Sequence, residues 1–314
     1  MIKFDNLISE ITKQNKRAIS KAISLIENEN PNAEIFLKEI HSFIGDSYKI
    51  GITGPPGAGK STVTNEIIKK ILIENKSVGI IAVDPTSPFT GGAVLGDRIR
   101  MNETGINSKV FIRSMATRGS LGGLNKKAVD AADVLDCAKF DYIIFETVGV
   151  GQSELDIAKA ADTTVVVLVP ESGDSVQAMK AGLMEIADIF VMNKCDRPGS
   201  ENAVNSLQTI LNLKDHNEFS YLPKILKCIA TQSVGINEIF TEIENHKNYL
   251  MKFDKLKKKR IVNLIDRIKD ITQNSISSKI WNDTETIELL DSLIQKNESP
   301  YHIADLILQK VKFQ

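Results

Sequence analysis

The chain has 314 residues, 42% of them hydrophobic and 25% charged, with a formal net charge of −1. That is an ordinary globular composition, and it excludes a chain drawn to nucleic acid or anionic lipid by its overall field. Cys137, Cys195 and Cys228 are too far apart for metal-ligand or redox spacing; no apolar run spans a bilayer and the N-terminus MIKFDNLISEITKQ lacks a leader pattern, so a cytoplasmic protein is expected.

Residues 1–45 carry helical periodicity, with Ile19, Ala22, Ile23 and Ile26 on one face. Pro31 is expected to open a further short helix after an Asn-rich turn. Residues 46–245 alternate strand-like and helix-like segments. The strand candidates are Lys49–Thr53, Val78–Asp84, Val110–Arg113, Tyr142–Glu146, Thr164–Pro170, Ile189–Asn193 and Ile225–Ala230. They are rich in Ile and Val without clean alternation, as strands covered on both faces are. Ser61–Glu74, Ala128–Ala138, Ser175–Ile186 and Ala203–Leu213 read as the intervening helices. The pattern predicts an α/β fold with a doubly wound, mostly parallel sheet, whose ligands bind beyond the C-terminal strand ends. Residues 246–314 return to helix. Three apolar stripes, at Ile261–Ile271, Leu289–Ile294 and Ile303–Ile307, need a partner surface. It is either the same chain or a second copy, and a dimerisation arm is the preferred reading. The basic run Lys255–Arg260 reads as a solvated helix face.

Gly54-Pro55-Pro56-Gly57-Ala58-Gly59-Lys60-Ser61-Thr62 lies between the first strand and the first helix of this region. It fits G-x-x-x-x-G-K-[ST] in the strand–loop–helix context of a phosphate loop. Backbone N–H groups and the helix N-terminus would cradle phosphates. Lys60 would reach the β- and γ-phosphates and Ser61 would bind Mg²⁺. Asn193-Lys194-Cys195-Asp196 matches N-K-x-D at a strand end. One carboxylate, Asp196, can accept from both guanine ring and amino N–H groups. Adenine lacks that donor pair, and a buried Asp196 would then be left unpaired. Lys194 can lie over the base, and Asn193 can tie this loop to the phosphate loop. Glu146-Thr-Val-Gly149 supplies a carboxylate for Mg²⁺ or its water and an N–H for the γ-phosphate. Asp84 ends another strand near the expected metal or attacking water. The Gly-rich stretch after it holds Asp97, expected to contact Mg²⁺ when triphosphate binds, with Arg98 and Arg100. An arginine here would serve either transition-state charge or structural pairing. Val150, rather than Gln, follows Gly149; Gln152 and Glu154 are the nearby alternatives for placing water, and slow intrinsic hydrolysis is expected.

Together these segments resemble the MeaB/ArgK-type P-loop GTPases, the methylmalonic aciduria type A family. The matching segments are GPPGAGKST (54–62), VDPTSPFTGGAVLGDRIRM (83–101), IRSMATRGSLGGL (112–124), ETVGVGQSE (146–154), GDSVQAMKAGLMEIAD (173–188) and NKCDRPG (193–199). The resemblance implies a GTP- and Mg²⁺-dependent chaperone for an adenosylcobalamin-dependent acyl-CoA mutase, typically methylmalonyl-CoA mutase. It implies that Lys60, Ser61, Asp84, Asp97 and Glu146 surround phosphate, metal and water. It also implies a homodimer built through the C-terminal helices, and a third switch with Asp174, Gln177 and Lys180. The last base-contacting loop is Ile229-Ala230-Thr231; the family's usual Ser is replaced by Ile229, which leaves backbone N–H groups to make that contact. The residues thus divide as 1–45 extension, 46–245 GTPase domain and 246–314 arm. A nickel-type metallochaperone GTPase and a transport-associated kinase are the alternatives.

Overall fold

The computed structural model describes residues 4–84, 107–116, 126–147, 153–170, 182–213 and 220–310. The chain divides into two compact units, Met1–Leu256 and Lys257–Gln314.

The first unit opens with α1 (Asp5–Thr12), α2 (Lys16–Glu27) and α3 (Ala33–Ile40). Helix α2 is started by Asn15, whose side chain accepts from Arg17 N and Ala18 N. The α3 helix opens at Ala33 rather than at Pro31, because Asn30 closes a turn first: its Oδ1 accepts from Asn32 N at 2.9 Å and its carbonyl from Ala33 N at 2.8 Å.

Strands and helices then alternate: β1 (Tyr48–Thr53), α4 (Lys60–Ile73), β2 (Val78–Asp84), β3 (Val110–Ala116), α5 (Lys126–Cys137), β4 (Tyr142–Thr147), α6 (Ser153–Ala160), β5 (Thr163–Leu168), α7 (Leu183–Ile186), β6 (Ile189–Met192), α8 (Ser200–Leu211), β7 (Lys224–Lys227) and α9 (Ile236–Lys252). The seven strands among the described residues form one parallel sheet in the order β3-β2-β4-β1-β5-β6-β7.

Consecutive strand residues feed opposite faces. Ile81, Val83, Ile143 and Phe145 pack with α1–α3 and α5. Their neighbours Ile80, Tyr142 and Ile144 pack with Val63, Ile67 and Ile71 of α4 and with Ile239, Phe240 and Ile243 of α9. Both faces are covered, so the inner strands β4, β5 and β6 are buried at every position rather than alternately, while the edge strand β7 exposes Lys224 and Lys227. Three strands end earlier than the sequence suggests, β6 by the single residue Asn193. β7 stops at Lys227 because Ile229 turns to pair with Val234. β5 stops at Leu168, with Pro170 beyond it. Of the helix expected at 175–186, Leu183–Ile186 is described as helix and 175–181 lies outside the described residues.

The second unit holds most of α10 (Lys255–Trp281), then α11 (Thr284–Gln295) and α12 (Pro300–Lys310). Asp283 caps α11, accepting from Thr286 N at 3.0 Å and Thr286 Oγ1 at 2.7 Å. The second and third apolar stripes meet: Leu293, Ile303 and Ile307 are buried with Ile280, Leu289, Leu290 and Leu306 around them. The first stripe stays open, with Ile261, Leu264, Ile265, Ile268 and Ile271 each 39–53% exposed.

Candidate nucleotide site

β1 lies at the centre of the sheet, flanked by β4 and β5. The chain passes from β1 through α4 to β2 on one side, and later from β4 across β1 to β5 on the other; this change of side makes a crevice at the C-terminal end of β1. The phosphate-loop candidate fills that position. Gly54, with φ +135°, packs so closely on β5 that a Cβ there would lie 2.1 Å from Val167 O. Gly59, with φ +87°, turns the chain into α4; only glycine adopts this backbone cheaply. Lys60 is buried and folds back over the loop, donating from Nζ to Gly54 O at 2.8 Å and Pro55 O at 3.0 Å. Pro56 and Gly57 are exposed at the tip, and Ala58 is buried beneath it.

The parallel register sets Ile52 of β1 beside Glu146 of β4. One residue on, Thr147 Oγ1 donates to Thr53 Oγ1 at 3.1 Å. Glu146 is 5% exposed, and its Oε1 accepts from Ser61 Oγ at 2.5 Å. A hydroxyl and a carboxylate 85 residues apart in sequence therefore meet at the mouth of the phosphate loop. A hydroxyl and a carboxylate are hard oxygen donors, the kind that suits Mg²⁺. Thr62 follows on α4, half-buried.

Asn193 leaves β6 and joins three segments. Its Nδ2 donates to Ala58 O at 2.9 Å, and its Oδ1 accepts from Ala230 N at 3.1 Å and Cys228 Sγ at 3.3 Å. Lys194 has φ +59° and donates from Nζ to Gly57 O at 2.8 Å. Asp196 is exposed rather than buried. It sits beyond the strand end, so any penalty for an unpaired carboxylate arises only when a base covers it. Ile229 is half-buried, Ala230 buried and Thr231 exposed. The Ala230 N–H is already given to Asn193, and the Ile229 N–H to Val234 O at 3.0 Å.

Burial pushes the Cys228 thiol up to about 12. It pushes the Cys195 thiol up as well, against a backbone hydrogen bond from Cys228 that works the other way. The thiols of Cys195 and Cys228 are therefore held as neutral groups that donate to Met192 O and Asn193 Oδ1.

The site thus brings together the 54–61 loop, Glu146, Asn193, Lys194 and Ala230. Asp84 ends β2, its backbone in register with Ala116, and its side chain lies outside the described residues, as does that of Glu154 in α6. Asp97, Arg98, Arg100, Gly149, Gln152, Asp174, Gln177 and Lys180 also lie outside them. Sequence reasoning missed Glu66 and Ser233, which link α4 to the turn at 229–234; they lie 167 positions apart and match no local motif.

Residues 19–285 match the family model described as Methylmalonyl Co-A mutase-associated GTPase MeaB. A Pyrococcus horikoshii protein named as a GTPase is 45% identical over 310 residues, covering 98% of this chain and 98% of the relative. GTPase ArgK of Escherichia coli is 33% identical over 277 residues, 86% of this chain and 84% of its own. Among solved structures, a LAO/AO transport system kinase superposes with a TM-score of 0.75 at 24% identity, covering 98% of each chain; this similarity bears on the fold.

Proposed function

The chain belongs to the MeaB family of GTPases, and from that premise we propose that it uses GTP and Mg²⁺ to serve an adenosylcobalamin-dependent acyl-CoA mutase, most directly methylmalonyl-CoA mutase, by gating cofactor loading and protecting or reactivating the enzyme. The observation that carries the nucleotide half is the meeting of Ser61, Glu146 and the 54–60 loop at one strand end, with Asn193 bridging to the base side. The mutase half is supported by the description of the matching family.

On this reading Lys60 exchanges the Gly54 and Pro55 carbonyls for phosphate oxygens, and the first-turn N–H groups of α4 bind the phosphate chain. Ser61 and Glu146, with Asp84 and Asp97, hold the metal and its water. Mg²⁺ held there would neutralise charge on the β- and γ-phosphates. Lys194 lies over the guanine, and Asp196 accepts its two adjacent N–H groups. Gly149, Gln152 and Glu154 follow the γ-phosphate, and Arg98 or Arg100 meets charge that develops during transfer. Asp174, Gln177 and Lys180 carry the nucleotide state to the mutase.

We assign 1–45 as an extension, 46–245 as the GTPase domain and 246–314 as a dimerisation arm. The support for the arm is the open Ile261–Ile271 stripe on α10. The three free cysteines suit a reducing compartment, the cytoplasm. Competition tests the nucleotide half: GTP, and not ATP, should displace a fluorescent GDP analogue. Equal displacement by both would remove the guanine assignment. Gel filtration with methylmalonyl-CoA mutase tests the partner: a nucleotide-dependent complex is expected, and separate elution under GTP and GDP alike contradicts it.

A further inference from the structure

The base-side turn between β7 and α9 is tightly drawn. Ile229 and Val234 exchange backbone hydrogen bonds at 3.0 and 3.3 Å. Gly235, with φ +80°, brings the chain back so closely that a Cβ there would lie 2.2 Å from Lys227 O. Between them Ser233 adopts φ +56°, a left-handed conformation in which glycine is the usual residue. The serine contributes something glycine lacks: its Oγ donates to Glu66 Oε2 at 2.7 Å.

Glu66 lies on α4, six positions after Lys60, and is 8% exposed. Its other oxygen accepts from Lys69 Nζ at 2.6 Å. Burial by itself would raise its pKa, but the hydrogen bonds from Lys69 and Ser233 and the charges of Lys69 and Lys70 outweigh it, and the carboxyl is held below its ordinary range. A carboxylate in this state only accepts, and charge-assisted bonds are the stronger kind. The turn is therefore fixed at two points. Ala230 N is held through Asn193 to the phosphate loop, and Ser233 is held directly to the helix that starts at Lys60.

We propose that Glu66 is a positioning residue for base recognition, holding the 229–233 turn, through Ser233, at a fixed separation from the phosphate loop. One helix then sets both ends of the nucleotide: its first turn faces the phosphates, and its second places the turn that meets the base. The inference rests on the guanine-nucleotide reading of this site.

Ser233→Gly is the cleanest test, because it removes the hydroxyl while easing the backbone, so folding is not at risk. Glu66→Gln is the companion: it keeps an acceptor for Ser233 and removes the charge. GDP and ADP affinities and GTP kinetics would be measured on the full chain, alongside thermal melting. Ser233→Gly should weaken GDP binding and raise KM for GTP about tenfold, the scale of one charge-assisted hydrogen bond. kcat should change less than twofold and ADP affinity should stay the same, so that base discrimination narrows. Glu66→Gln should fall between Ser233→Gly and the unaltered chain. Two results overturn the proposal: unchanged GDP-to-ADP discrimination in Ser233→Gly, or a loss confined to kcat. An unaltered chain that binds GDP and ADP equally overturns the guanine reading itself, and the proposal with it.

Discussion

Gly59 lies directly against Asn193: a Cβ added at Gly59 would sit 2.4 Å from Asn193 Nδ2, the nitrogen that donates to Ala58 O at 2.9 Å. Gly59 also holds φ +87°, where an alanine is disfavoured by about 1–2 kcal/mol. Gly59→Ala should therefore displace Asn193 and release both Ala58 and Ala230. A loss of GDP affinity of at least about tenfold is expected, since every 1.4 kcal/mol is a factor of ten. Circular dichroism should still report a folded chain. Isothermal titration checks this, and an unchanged Kd contradicts it.

Ser61 and Glu146 meet at 2.5 Å, and the proposed metal site depends on both. Ser61→Ala should lower Mg²⁺-dependent GTP hydrolysis by roughly tenfold or more and move the half-saturating Mg²⁺ concentration upward, because one oxygen donor is lost. A Mg²⁺ titration of turnover gives the answer. A curve that superposes on that of the unaltered protein would remove Ser61 from the site.

Asp196 is exposed beyond β6, free to face a base. Asp196→Asn replaces an acceptor-only carboxylate with a group that also donates. Guanine should bind at least about tenfold more weakly, as a paired donor is left without its acceptor. Xanthine, which carries a carbonyl where guanine carries the amino group, should gain. Competition by XTP and GTP against a fluorescent GDP analogue reads both changes. No shift in base preference would defeat the assignment of Asp196.

Much of this site was legible in the sequence because its motifs are local. The 54–61 loop lies on consecutive residues, and the strands announced themselves by Ile and Val runs that proved to be buried on both faces. What was not legible depends on distant residues. The strand order places β4 beside β1 although α4, β2, β3 and α5 intervene, and that adjacency brings Glu146 to Ser61. The early end of β7 follows from the Ile229–Val234 pair, which composition does not encode. The exposure of Asp196 and the Glu66–Ser233 bond likewise require the folded chain. In the second unit the two later stripes found each other; the pattern showed three stripes that needed partners without saying which would pair.

Glu242 gives the first unit an acid-sensitive anchor. It is 4% exposed on α9, accepts from Lys224 Nζ at 2.7 Å and Asn245 Nδ2 at 3.1 Å, and bonds the Tyr221 hydroxyl. Burial pushes its pKa up, but these bonds and the Lys224 charge win and hold it below its ordinary value of 4.5. A carboxyl depressed by folding stabilises the native state above its unfolded pKa, and that stability is lost as pH falls through the folded value. The melting temperature should therefore hold from neutrality to about pH 5 and drop below it. Glu242→Gln should melt lower at pH 7 and show a shallower acid decline. Melting curves between pH 3.5 and 7 test this, and an acid limb equally steep in the variant contradicts it.

The most direct measurement is GTP turnover by the pure protein, alone and with methylmalonyl-CoA mutase, with Lys60→Ala as the blank. The proposed role requires slow turnover by the chain alone, faster turnover when the mutase is added, and none in the blank. Turnover that is the same with and without the mutase would contradict the chaperone role while leaving a GTPase of the MeaB family.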